Sequence, residues 1–103
     1  MSKKSLSAIF VCALLDGGMA RAEDIDCKKI AWHAQLVMSA RQMNADINKA
    51  MEMTIKRDWP FGRSMVLEAY ELPLAPKDGR SGTAASVGFA NEWGRRCLAG
   101  ELD

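Results

Sequence analysis

A single histidine and scattered carboxylates are the side chains in this 103-residue chain that could support acid–base chemistry. His33 follows Trp32 in a stretch with helical periodicity, and a catalytic histidine needs an orienting partner within hydrogen-bond reach. No serine or cysteine stands out as its nucleophile, and the acidic residues occur singly along the chain. The sequence therefore predicts a protein that is not an enzyme, uses no cofactor and carries His33 at or near its surface.

The methionines are the second set of residues with chemical potential. Thioethers are soft ligands that suit copper(I), so the segment Met51-Glu52-Met53 together with His33 could bind this ion. Methionine also fills irregular cores of small helical domains, and residues two positions apart on a helix do not face each other. The pattern favours a packing role, and we expect no metal site.

The N-terminal residues have the pattern of a signal peptide. Lys3 and Lys4 precede the apolar segment Ser5 to Leu15, and Ala20-Arg21-Ala22 offers small residues at a cleavage site. Eleven residues are too few to cross a bilayer that needs about twenty. We therefore predict a signal peptide over residues 1–22, a single domain over residues 23–103, a periplasmic or secreted location, and no stable membrane insertion after cleavage.

Cleavage leaves two of the three cysteines. Cys12 departs with the signal peptide, while Cys27 and Cys97 remain, and an even pair in a short exported domain indicates a disulfide. Two thiolates alone lack the further ligands that a zinc site needs. The bond would close a loop of about seventy residues, for which the chain-entropy model gives roughly 4 kcal/mol of stabilisation.

The charge balance excludes two classes of partner. The predicted signal peptide carries three of the chain's 14 basic residues and one of its 13 acidic residues, which leaves the mature domain close to neutral. The domain thus has no basic footprint for nucleic acid. It also lacks a polybasic segment that would draw it to anionic lipid.

Apolar residues at helical spacing predict an all-α fold of three to four helices. The first helix starts near Cys27 and ends before Asn44, a residue type that tolerates the left-handed conformation. Asp46 is a candidate N-cap for a second helix that ends near Arg57. Because bonded cysteines need Cα atoms within about 7 Å, the first and last helices run antiparallel if they pack side by side.

The second half of the mature chain predicts two more helices. One spans 63–71 and stops before Pro73, and the other is capped by Thr83 and ends near Leu98. Arg41, at the end of the apolar face of the first helix, is expected either to reach a carboxylate such as Glu68 or Glu71 or to keep its head in water.

The loop Trp59-Pro60-Phe61 between the second and third helices has two interpretations. Its two large aromatic residues flank a rigid proline, which is typical of a partner-binding surface. In a domain this small the same rings could instead fold back as a lid over the core. Pro60 and Gly62 mark the segment as a loop in both cases, with Gly62 expected to relax its backbone.

Several short motifs resemble a loose group of small secreted proteobacterial proteins of unknown function. The shared features are a cysteine at the head of the first helix, Val37-Met38 with Arg41, Ala69-Tyr70 with Pro73, and a terminal Cys97. The resemblance implies an exported helical fold and no activity.

Taken with the charge and the absence of catalytic motifs, these features favour a non-enzymatic binding or interaction module with an unknown protein partner in the cell envelope. The alternative is a small periplasmic stress or metal-handling protein, either a holdase-like chaperone or a copper binder.

Overall fold

A computed structural model describes residues 26–102, and over this range the chain is all-helical with no strand. The helices are α1 (Cys27–Gln42), α2 (Ile47–Lys56), α3 (Gly62–Glu71) and α4 (Ser81–Leu98). A Cys27–Cys97 disulfide joins the start of α1 to the end of α4. The predicted all-α fold, closed end to end by one disulfide, is confirmed, while the predicted signal peptide lies outside the described residues.

Local signals fix both ends of α1. The Asp26 carboxylate accepts hydrogen bonds from the backbone N–H groups of Lys28 and Lys29, at 3.0 and 3.3 Å, and so satisfies donors that have no partner inside the helix. At the other end Asn44 adopts the left-handed conformation, with φ of 60°. Its N–H donates to the carbonyl of Arg41, which closes the last turn as predicted.

The start of α4 differs from the prediction. Asp46 does cap α2, through a 2.7 Å bond from the Asn48 N–H, but Thr83 does not cap α4, which begins two residues earlier at Ser81. The Asp78 carboxylate accepts from the N–H groups of Arg80 and Ser81, at 2.9 and 2.7 Å. A hydrogen bond from the Ser81 hydroxyl, together with these two backbone bonds, lowers the pKa of Asp78 to about 2. An aspartate in the preceding turn therefore starts the helix.

The helices form two antiparallel pairs. The disulfide, with a Cα–Cα distance of 5.6 Å, ties α1 to α4 at one end, and Ser39 donates to Ser86 at 3.1 Å farther along the same pair. The second pair, α2 and α3, packs against α1. The shared core consists mainly of buried apolar side chains from all four helices: Ile30, Ala34, Val37, Met38, Ala50, Met65, Val66, Ala69, Phe89 and Trp93.

Arg41 and Glu68 find partners other than each other. Both Nε and Nη2 of Arg41 donate to the carbonyl of Leu72, at 3.1 and 2.8 Å, and the guanidinium lies 5.2 Å from the centre of the Tyr70 ring. The expectation that Arg41 reaches a carboxylate is wrong, because its side chain lies at the C-terminal end of α3, where carbonyls lack helical partners. Glu68 pairs instead with Arg96, at 2.6 Å.

We expect Gly62→Ala to destabilise the domain by about 1–3 kcal/mol, the usual cost of overpacking. Gly62 is buried at the start of α3, and a Cβ there would lie 2.5 Å from the Cβ of Thr54 on α2. Gly88→Ala is the matched control, since nothing lies within 4 Å of its Cβ position in the middle of α4. That change should stabilise the helix by about 1 kcal/mol. Urea unfolding of both variants measures the difference, and equal midpoints would contradict the close approach of α2 and α3.

Candidate functional site

A cleft of about 510 Å³ lies between the first turns of α1 and the loop that joins α2 to α3. Its size falls in the range of small-molecule sites. The cleft is lined mainly by aromatic rings, two carboxylates and two cationic side chains. The lining residues are Asp26, Lys29, Ile30, Trp32, His33, Arg57, Asp58, Trp59 and Pro60. We call this the aromatic cleft.

The back of the aromatic cleft is a stack of rings. His33 and Trp59 lie parallel, with 4.1 Å between ring centroids and 7° between ring planes. The guanidinium of Arg57 lies over Trp59, 5.9 Å from its ring centroid. Trp32, one residue before His33 on α1, is 55 % exposed at the rim. Trp59 is thus covered by neighbours of its own chain, whereas the Trp32 ring keeps open area.

The surroundings of His33 disfavour its charged form. Burial, and to a smaller extent the charge of Lys29, lower the pKa of His33 below its usual value of 6.5. Its Nδ1 is buried and has no hydrogen-bond partner among residues 26–102. A proton there would add charge to a partly buried group that is already short of polar contacts, so burial favours an uncharged imidazole at neutral pH.

The loop behind the cleft has an unusual backbone. Asp58 and Phe61 both adopt positive φ, 52° and 61°, although neither is glycine. A bulky residue in this region is an outlier that costs on the order of 1–3 kcal/mol. The bonds from Trp59 N–H to the Thr54 carbonyl, at 3.0 Å, and from Gly62 N–H to the Trp59 carbonyl, at 3.1 Å, maintain the conformation.

The ring of Phe61 anchors this strained loop. Phe61 packs against the core, with its ring centroid 6.3 Å from that of Trp93. The expectation that Gly62 relaxes the loop is wrong, because Gly62 is already helical and buried, and the positive φ falls on Phe61. The loop is therefore fixed in place by its own aromatic side chain.

The three predicted partner-binding residues do not all line the aromatic cleft. Trp59 and Pro60 line the aromatic cleft, whereas Phe61 lines an adjoining cleft of about 330 Å³. Trp59 and Asp58 line both clefts, and Met51 and Ile55 line only the second of the two. Trp32, which the sequence marked only as the neighbour of His33, lies at the rim of the cleft. Its position next to His33 on one helix was the only local signal, and its proximity to the loop depends on how α1 packs.

The side chains considered as copper ligands do not lie together. Met51 and Met53 are half-buried against the core, and Met51 and His33 line different clefts. Within residues 26–102 no group of three or more His, Cys, Asp or Glu side chains is arranged to hold a metal ion. None of the described helices has the length and apolar character needed to span a membrane.

Comparisons with protein-family models, curated proteins and solved structures found no match for this chain.

The stability of the domain should decrease as the pH falls from about 7.5 to about 5.5. The folded-state pKa of His33 is lowered, so the unfolded chain binds the proton more tightly. The resulting stabilisation is complete above the unfolded pKa and is lost as the pH falls from the unfolded pKa to the lower folded pKa. His33 is the only histidine in the sequence. The pKa values of Asp78 and Glu92 are each about 2, so the stability that these two carboxylates contribute is lost only at much lower pH.

Thermal melts across this pH range check the prediction. In His33→Gln the slope of melting temperature against pH should flatten, even if loss of the ring stack lowers every midpoint. A slope as steep in His33→Gln as in the parent protein would show that the lowered pKa of His33 is not the cause.

Proposed function

We propose that the mature protein is an exported, non-enzymatic binding module and that it binds its ligand in the aromatic cleft. The strained loop carries this proposal. Phe61, a bulky residue with positive φ, directly follows Trp59 and Pro60, and the backbone hydrogen bonds of Trp59 and Gly62 maintain this conformation. Such strain persists where the surrounding structure over-determines it, and it clusters at sites that bind or act.

The unused polar groups of the cleft support the same proposal. The side chains of Lys29, Arg57 and Asp58 make no hydrogen bond or ion pair with any other residue in the range 26–102. Tryptophan and arginine at a concave surface are typical of binding hot spots, so the cleft offers contact area together with free donors and acceptors.

Export is proposed on two observations. The N-terminal residues follow the signal-peptide pattern, with a basic start, an apolar segment and small residues at Ala20 and Ala22. The Cys27–Cys97 bond is of a kind that forms and persists in oxidising compartments such as the periplasm. The mature form is expected to begin at Glu23, and mass spectrometry of exported protein tests this.

Site-specific photocrosslinking tests the proposed function. A benzoyl-phenylalanine at position 32 would place the reactive group at the rim of the cleft. The same residue at position 87 is the control, since Val87 is 41 % exposed on α4 and does not line the cleft. We expect adducts with cell-envelope material at position 32 only. Equal labelling at both positions, or none at position 32, would overturn the assignment of the cleft.

A further inference from the structure

We infer that the aromatic cleft binds a neutral saccharide, stacked on Trp32 and hydrogen-bonded to the charged groups of the rim. The inference rests on the proposed function, because it names the ligand class of the same site. It follows from two properties of the cleft: one open aromatic face, and a set of donors and acceptors whose charges cancel.

Trp32 provides the stacking surface. The Trp59 ring is occupied, with His33 parallel to it at 4.1 Å and Arg57 over it at 5.9 Å. Trp32 is 55 % exposed and lines the same cleft, so its ring has area free for a ligand. The face of an indole ring carries partial negative charge, which attracts the weakly positive C–H groups on the flat face of a pyranose.

The charged groups around the ring balance one another. Asp26 and Asp58 offer carboxylate oxygens, and Lys29 and Arg57 offer N–H donors. One oxygen of Asp26 is already used as the cap of α1, and its second oxygen makes no bond within the described residues. A hydroxyl group both donates and accepts, so a polyol can satisfy carboxylates and cations together.

Other ligand classes fit this arrangement less well. An anionic ligand would face the carboxylates of Asp26 and Asp58, and a cationic ligand would face Lys29 and Arg57. A proline-rich peptide stacks well on tryptophan, but proline has no backbone N–H, so such a peptide would leave both carboxylates without donors. A neutral saccharide matches the ring, the donors and the acceptors together.

The test is a titration of the disulfide-bonded protein followed by tryptophan fluorescence and by calorimetry. The neutral probes are chitotriose, cellotriose and maltotriose. Charged probes of equal length are the glucosamine trimer and the galacturonic acid trimer, and a decaproline peptide represents the peptide alternative. We expect saturable binding of at least one neutral trisaccharide and weaker binding of both charged trimers.

Variants at the rim give the second arm of the test. We expect Trp32→Ala to weaken saccharide binding about tenfold or more and Trp32→Phe to weaken it less, since phenylalanine keeps a smaller stacking face. Val87→Ala is the matched control, because Val87 is an exposed apolar residue outside the cleft. Melting temperatures of all three variants should stay near that of the parent, because both side chains are exposed.

The outcomes separate the inference from the proposed function. Failure of every neutral trisaccharide at millimolar concentration, or binding that Trp32→Ala leaves unchanged, overturns the saccharide inference. Trp32-dependent binding of decaproline, or of a charged trimer more tightly than of every neutral one, overturns it as well, but leaves the cleft as the binding site. If position 32 also gives no specific photocrosslink to envelope material, the proposed function fails with it.

Discussion

Replacing both cysteines, in Cys27→Ala with Cys97→Ala, is expected to lower the free energy of unfolding by roughly 4 kcal/mol. The bond joins residues 70 positions apart, so without it the unfolded chain gains the conformational freedom of almost the whole domain. A domain of this size has a total stability of about 5–15 kcal/mol, so the loss is a large fraction of it. In a thermal melt the change corresponds to a decrease of about 15–30 °C.

Urea unfolding of the oxidised protein and of the double variant measures this difference. Reductant provides the control, since it should lower the midpoint of the parent protein and leave the double variant unchanged. Equal midpoints for the oxidised parent and the double variant would show that the bond adds no stability. Alkylation of Cys27 and Cys97 without reductant would show that it does not form.

Features controlled by neighbouring residues could be predicted from the sequence. Asp26 and Asp46 cap helices because an aspartate side chain reaches the N–H groups two or three residues later. Asn44 ends α1 because it tolerates positive φ. The pairing of Cys27 with Cys97 followed from the removal of Cys12 with the predicted signal peptide, and the antiparallel arrangement of α1 and α4 followed from that pairing.

Features decided by competition or by tertiary contacts could not be predicted. Thr83 and Asp78 were both able to start α4, and Asp78 does so because its carboxylate accepts two backbone bonds and one hydroxyl bond. Arg41 had carboxylates in reach by sequence pattern, yet packing places it beside the Leu72 carbonyl. In each case the residue type allowed several partners, and only the folded chain selects one.

The aromatic cleft was also only partly predictable from the sequence. The sequence left open whether the loop of Trp59 and Pro60 forms a partner-binding surface or a lid over the core. Both residues line the cleft, and Trp59 also packs against the core. Trp32 and His33 come from a helix that is distant in sequence, so only the packing of α1 against the loop brings the rings together. Positive φ at Phe61 was also hidden, because glycine next to it was the more plausible residue for that conformation.

The double change Trp59→Ala with Phe61→Ala is expected to destabilise the domain by about 3–5 kcal/mol, the range for aromatic-to-alanine changes in cores. Both side chains are half-buried against the core, Trp59 in the stack with His33 and Phe61 beside Trp93. A loop that served only as an exposed contact surface would keep its melting temperature after the same change. Urea unfolding separates the two results, and Trp32→Ala is the control that should remain as stable as the parent.

A pair of single variants at position 61 tests the strained backbone on its own. Phe61→Ala and Phe61→Gly both remove the ring, but only alanine keeps a Cβ in the left-handed conformation at φ of 61°. Left-handed geometry costs an L-residue about 1–2 kcal/mol relative to glycine, so Phe61→Gly should be the more stable of the two by about that amount. If Phe61→Ala is equally stable or more stable, the loop does not hold position 61 at positive φ. In that case the strain that marks the aromatic cleft as a binding site is absent.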